Sequence, residues 1–109
     1  MFVVSSPDMG QTWTKELTLH ADRDMREPFF VAVDGKLFFY YFEAGTNPID
    51  FEVSRMLRTQ YLGHEEWSPI EPWGQAGEAC WQFNVRNNTI YTISYVGSHQ
   101  TCDQKQKKY

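Results

Sequence analysis

Two stretches of this chain, 53 residues apart, read as copies of one hairpin. In the first, the apolar run Phe29 to Val33 meets Asp34-Gly35 and then the aromatic run Lys36 to Phe42. An Asp-Gly pair between apolar runs is a strong signal for a two-residue hairpin turn. In the second, Cys80 to Val85 and Thr89 to Val96 flank Asn87-Asn88. Laid over one another, Phe30, Ala32, Leu37, Phe38, Tyr40 and Phe42 fall on Phe83, Val85, Ile90, Tyr91, Ile93 and Tyr95. Trp13 and Trp67 are 54 residues apart, so an independent pair gives nearly the same period. A chain built this way stacks like units, each burying its apolar face against its neighbours. The first hairpin is apolar almost throughout, the pattern of strands covered on both faces or nearly so.

The rest of the chain reads as strands and connections. Residues 1–5 form an extended run. Ser6-Pro7-Asp8-Met9-Gly10-Gln11-Thr12-Trp13 follows as a structured turn. Asp8 can accept hydrogen bonds from backbone N–H groups ahead of it, and Gly10 can take a positive φ. Trp13 is expected to fold over the turn and bury against the sheet. Residues 13–19 alternate as a half-exposed strand. Residues 20–26 and 44–50 are polar connections. Residues 51–62 read as a strand and a turn, with a short helix as the alternative. Pro69 and Pro72 restrict residues 67–73 to an edge strand or an irregular segment. Residues 74–79 form a connection, and residues 97–109 a frayed tail.

The pattern Ser6-x-Asp8-x-Gly10-x-Thr12-Trp13 resembles the Asp-box of the sialidase-like propellers, also called the bacterial neuraminidase repeat. In that family the motif closes the turn between the third and fourth strands of a blade, on the outer rim. The 53-residue period matches one blade with its connections. The second rim turn, residues 61–67, keeps Gly63 and Trp67 but lacks the Ser-x-Asp. The resemblance covers about residues 1–96. It implies an all-β fold of antiparallel sheets amounting to about two blades. Residues 1–19 would be an outer half-blade, 27–73 a full blade and 80–96 an inner half-blade. A closed propeller needs at least about four blades, and six in the sialidase family. The expectation is therefore part of a larger propeller, or a truncated reading frame, whose half-blades leave apolar faces and strand edges uncovered. The alternative is a self-contained β domain.

Composition narrows the function less than the fold. The 109 residues suffice for one small domain. Ten basic and 14 acidic residues give a formal charge of -4, which argues against a general nucleic-acid binder. The last six residues hold three Lys and no acid, a solubilising tail. No apolar stretch is long enough for a membrane span. The N-terminus does not read as a signal peptide, and localisation stays open. Aromatics make up 17% of the chain, which suits strand packing and sugar-facing surfaces alike. Cys80 and Cys102 lack metal spacing, and a bridge between them is open. His20, His64 and His99 share no ligand spacing either, so neither metal nor cofactor is expected. Asn87-Asn88-Thr89 makes Asn87 a glycosylation acceptor if the chain enters a secretory pathway.

In propellers the active surface is built from connections that lead into the innermost strands. The first candidate is Arg23-Asp24-Met25-Arg26-Glu27-Pro28. Arg26 can hold a carboxylate or sugar hydroxyls in a planar fork. Asp24 or Glu27 can act as acid, base or positioning group. The same residues also read as a structural salt bridge ahead of a strand. The second candidate is Glu78-Ala79-Cys80-Trp81, where Trp81 stacks on a sugar or simply packs, and Glu78 hydrogen-bonds the ligand. Sialidases bring three arginines, a Tyr–Glu pair and an acidic acid/base from several blades. Only one such arginine, Arg26, and one acidic group have counterparts here. Glycoside hydrolysis needs two carboxyl groups held about 5 to 9.5 Å apart. The expectation is a partial sialidase-like glycosidase, inactive alone, whose intact parent binds or hydrolyses glycans. The alternatives are a non-catalytic propeller that binds glycan or protein, and a small structural β domain. Expected partners are a carbohydrate and the remaining blades, or other copies of the chain.

Overall fold

The structure, a computed structural model, describes residues 1–20, 24–44 and 53–96. Arg23, the loop at 45–50, the start of the 51–62 segment, His99, Cys102 and the tail at 97–109 lie outside the described residues. The described chain is all-β and antiparallel. Its strands are β1 (Phe2–Ser5), β2 (Thr14–Thr18), β3 (Met25–Val33), β4 (Lys36–Ala44), β5 (Val53–Gly63), β6 (Glu66–Trp67), β7 (Glu71–Trp73), β8 (Glu78–Arg86) and β9 (Thr89–Val96). They make three open sheets: the hairpin β1-β2, a central sheet in the order β3-β4-β5-β6, and the hairpin β8-β9. β7 also pairs with β5 in the central sheet.

The two repeat hairpins form as their turns direct. Phe30 pairs with Phe39 and Val33 with Lys36 around Asp34-Gly35. Val85 pairs with Ile90 and Arg86 with Thr89 around Asn87-Asn88. Asp34, Gly35, Asn87 and Asn88 all have positive φ, as a tight two-residue reversal of this hand requires. Several elements exceed the expected bounds. Met25 and Arg26, expected in a connection, belong to β3 and pair with Glu43 and Phe42. The described part of 51–62 is strand, because it has β4 to pair with along nearly its whole length. Pro72 sits in edge strand β7, opposite Leu57, where a missing N–H does no harm.

The three sheets stack as layers, and the alternation of side chains along β4 explains the stack. Tyr40, Phe42 and Ala44 point to one face, with Val31 of β3 and Met56 of β5, and meet Ala79 and Cys80 of β8. Phe39 and Tyr41 point to the other face and meet Val3 and Leu19 of the first hairpin. Both faces of β4 are therefore covered, as its unbroken apolar run predicts. Tyr40 carries the first interface: its ring stacks on Phe83 at 4.6 Å and meets Trp73 edge-on at 5.2 Å. β3 departs from the expectation of two covered faces. Phe30 and Ala32 are exposed, because the first hairpin covers only part of that side.

The stack is open at both ends. Phe2 and Val4 of β1, and Trp81, Tyr91, Ile93 and Tyr95 of the last hairpin, are exposed. The radius of gyration is 16.0 Å, against about 13 Å for a compact chain of about 100 residues. No described sheet closes on itself.

Candidate functional site

The turn at Ser6–Trp13 is a hydrogen-bonded cage around one carboxylate. Asp8 Oδ1 accepts from the Ser6 hydroxyl at 2.8 Å and from the N–H groups of Gln11 and Thr12 at 3.1 and 2.8 Å. Asp8 Oδ2 accepts from the Thr12 hydroxyl at 2.6 Å. Ser6 Oγ in turn accepts from Gly10 N–H at 2.8 Å. The Thr12 hydroxyl, then the Thr12 N–H and the Ser6 hydroxyl, pull the Asp8 carboxyl down to about 2. Gly10 has φ +92, as the tight reversal requires. Trp13 covers its own turn, not the sheet: its Nε1 donates to Gly10 O at 3.1 Å, and the residue is 62% exposed. That bond to the third residue back holds the indole at the turn, and β2 begins only at Thr14. Every hydrogen-bond partner given for the Asp8 carboxylate lies within the turn itself.

Two of the candidate ligand residues, Glu27 and Trp81, sit on bulges at equivalent places in the repeat. The β3–β4 register shifts between Arg26 and Phe29, and the β8–β9 register shifts between Cys80 and Gln82. The bulged residues are Glu27 with Pro28 in one strand and Trp81 in the other. A bulge bends a strand and re-aims the side chain it carries. Glu27 has φ +55, a conformation that non-glycine residues adopt rarely. Trp81 is 60% exposed, 6.2 Å from the Tyr95 ring, and with Phe29, Gln82, Ile93 and Tyr95 it lines an open hollow of about 600 Å³.

Two of the acidic candidates have close local partners. Asp24 Oδ2 accepts from Arg26 Nε at 2.6 Å, with both side chains half exposed. Asp24 O also accepts from Ala44 N–H at 2.8 Å, closing the base of the β3–β4 hairpin. Glu78 Oε1 accepts from Gln75 N–H at 3.0 Å. A Cβ at Gly74 would collide with the same carboxylate. Glu78 thus closes the turn ahead of β8, and that turn needs glycine at 74, where φ is +77. Among the described residues, no cluster of three His, Cys, Asp or Glu side chains is placed to hold a metal ion. Among the described residues, no helix is long and apolar enough to cross a membrane.

The sequence reading missed two contacts that bind neighbouring layers. Between β2 and the β5–β6 turn, Glu16 accepts from Glu65 N–H at 3.1 Å; it also accepts from the Ser5 hydroxyl at 2.8 Å, with His64 Nδ1 at 3.5 Å. The Glu65 N–H, then the Ser5 hydroxyl, hold its carboxyl below the usual range. Trp67 Nε1 donates to Glu16 O at 3.1 Å. At the opposite side of the repeat, the two hairpin tips touch. Asp34 N–H donates to Asn88 Oδ1 at 2.7 Å, and Asn88 Nδ2 donates to Asp34 Oδ1 at 3.3 Å. The equal position of these two turns in the repeat was the available signal, since like ends of stacked units lie side by side.

No family model, no curated protein and no solved structure matches the chain.

Proposed function

We propose that this chain is a segment of a sialidase-like Asp-box propeller whose role is to bind glycans without hydrolysing them. Trp81 is the stacking platform. The observation that carries the reading is the pair of equivalent bulges, with the exposed Trp81 on the one in β8 and Glu27, next to Arg26, on the one in β3. A tryptophan face offers a sugar ring apolar area together with a nearby polar edge, and Arg26 supplies a planar fork for a carboxylate or hydroxyls. The caged turn at Ser6–Trp13 and the four-strand order of the central sheet support the propeller part. The short Asp24–Arg26 contact favours structure over acid–base chemistry for Asp24. Glu78 closes its own turn. Glu27 is the carboxylate that this reading gives to the ligand, as a positioning group.

The reading is tested by titrating the chain with sialylated and neutral oligosaccharides, followed by ligand-observed NMR. Binding is expected for wild type, to be lost in Trp81→Ala and weakened in Arg26→Gln, with sialylated ligands more sensitive to the second change. Unchanged binding in Trp81→Ala, or no binding by wild type at millimolar sugar, ends the proposal.

A further inference from the structure

The internal repeat states what should cover each open face. In the overlay, Phe38, Tyr40 and Phe42 correspond to Tyr91, Ile93 and Tyr95. Tyr40 and Phe42 are buried because the β8–β9 layer sits on them. Their counterparts are exposed, with Ile93 at 65%. At the other end of the stack, Phe30 corresponds to Phe83. Phe83 packs against Phe29 and Tyr40 of the preceding unit. Phe30 touches Phe39 of its own sheet and is 54% exposed. It borders a groove of about 360 Å³ with Val3, Val4, Leu37, Tyr61 and Trp67. One open face thus lacks a following unit, and the other lacks the inner half of a preceding one.

The edges match in the same way. In the central sheet, β4 pairs with β3 on one side and β5 on the other. Its counterpart β9 pairs only with β8 among the described strands. β1 stands where β5 stands, ahead of a rim turn, and among the described strands pairs only with β2.

We infer that the chain associates head to tail with a second copy of itself. β9 of one copy pairs along its free edge with β1 of the next, giving the order β8-β9-β1-β2 that repeats the central β3-β4-β5-β6. The β9 face then lies on the next copy's β3, with Ile93 seated on Phe30 as Tyr40 is on Phe83. The groove beside Phe30 is filled by that hairpin. Unpaired strand edges and contiguous apolar faces are the surfaces that favour such association. The contact is heterologous, so it continues until it closes as a ring or extends as a filament. In the assembly Tyr95 becomes covered as Phe42 is, while Trp81 stays open as Pro28 does. The inference deepens the propeller reading and rests on it; the next copy takes the Ile93 and Tyr95 side of the hollow that Trp81 also lines, and loss of sugar binding in Trp81→Ala with association intact leaves it untouched.

The test is sedimentation velocity on the full 109-residue chain and two variants, Ile93→Asp and Phe30→Asp. Wild type is expected to gain mass with concentration beyond a dimer. Each variant alone is expected to remain a monomer with an unchanged far-ultraviolet circular dichroism spectrum. Their equal mixture still holds one intact contact, Ile93 of the second variant on Phe30 of the first, and should stop at a dimer. Tyr91→Asp, on the same exposed face, replaces Ile93→Asp if that variant does not fold. A wild-type monomer at the highest soluble concentration overturns the proposal and leaves these faces to another protein or segment. So does a mixture that stays monomeric or grows past a dimer, or a folded variant that associates as wild type does.

Discussion

Tyr40 should be the side chain on which the junction of the central sheet and the last hairpin depends. It is 1% exposed, stacked on Phe83, edge-on to Trp73, and its hydroxyl accepts from Arg58 Nη1 at 3.2 Å. Tyr40→Phe removes only that hydrogen bond, and Arg58 keeps its 2.6 Å pair with Glu71. The expected cost is about 0.5–1.5 kcal/mol, the net worth of one such bond. Tyr40→Ala also empties a ring-sized volume between two sheets, and truncating a buried aromatic costs about 3–5 kcal/mol. Domains are stable by only about 5–15 kcal/mol, so this variant should be close to unfolding. Urea titration followed by far-ultraviolet circular dichroism measures both. A shift of about 4–8 °C per kcal/mol in the melting temperature provides a second reading for a chain of this size. The reasoning fails if Tyr40→Phe costs as much as Tyr40→Ala, which would place the energy in the hydroxyl. It also fails if Tyr40→Ala costs less than about 1 kcal/mol, which would mean the layers do not rest on this ring.

Two other outcomes follow from the turns. The Asp8 carboxyl titrates at about 2 in the folded chain, below its ordinary value of 3.8. Its contribution is therefore complete above the unfolded pKa and fades as pH falls through the folded one. The melting-temperature gap between wild type and Asp8→Ala should narrow from pH 5 to pH 2, and a constant gap would refute the cage. Asn88→Gly keeps the positive φ of the turn but removes the side chain that holds Asp34 N–H. The expected cost is about 0.5–1.5 kcal/mol, with faster hydrogen exchange at the Asp34 amide. Unchanged exchange there would show that the two hairpin tips do not hold each other.

Much of the fold was legible because it is local. The Asp34-Gly35 and Asn87-Asn88 turns need only their own backbone geometry, and the strands on either side follow from the apolar runs beside them. The Asp8 cage is local too, since every partner lies within four residues. Trp13 was misplaced because its type says that it packs, not on what. Met25 and Arg26 read as connection because their sequence is polar; they are strand because Glu43 and Phe42 lie opposite. The candidate site was legible as residue types alone. The bulges that re-aim Glu27 and Trp81 arise from a mismatch between two paired strands, which neither strand's sequence shows by itself.

The amino-acid order alone determined the antiparallel β class, the two matching hairpins and the caged turn, because each depends on residues close along the chain. Only the tertiary structure decided which layer covers each face of β4, and that β3 and β9 each leave a face exposed. It also decided that Glu16 reaches Glu65 and that Asp34 reaches Asn88. Periodicity marks which residues avoid water, but the neighbour that covers each one comes from a distant stretch of chain or from another molecule, and no local pattern encodes that choice.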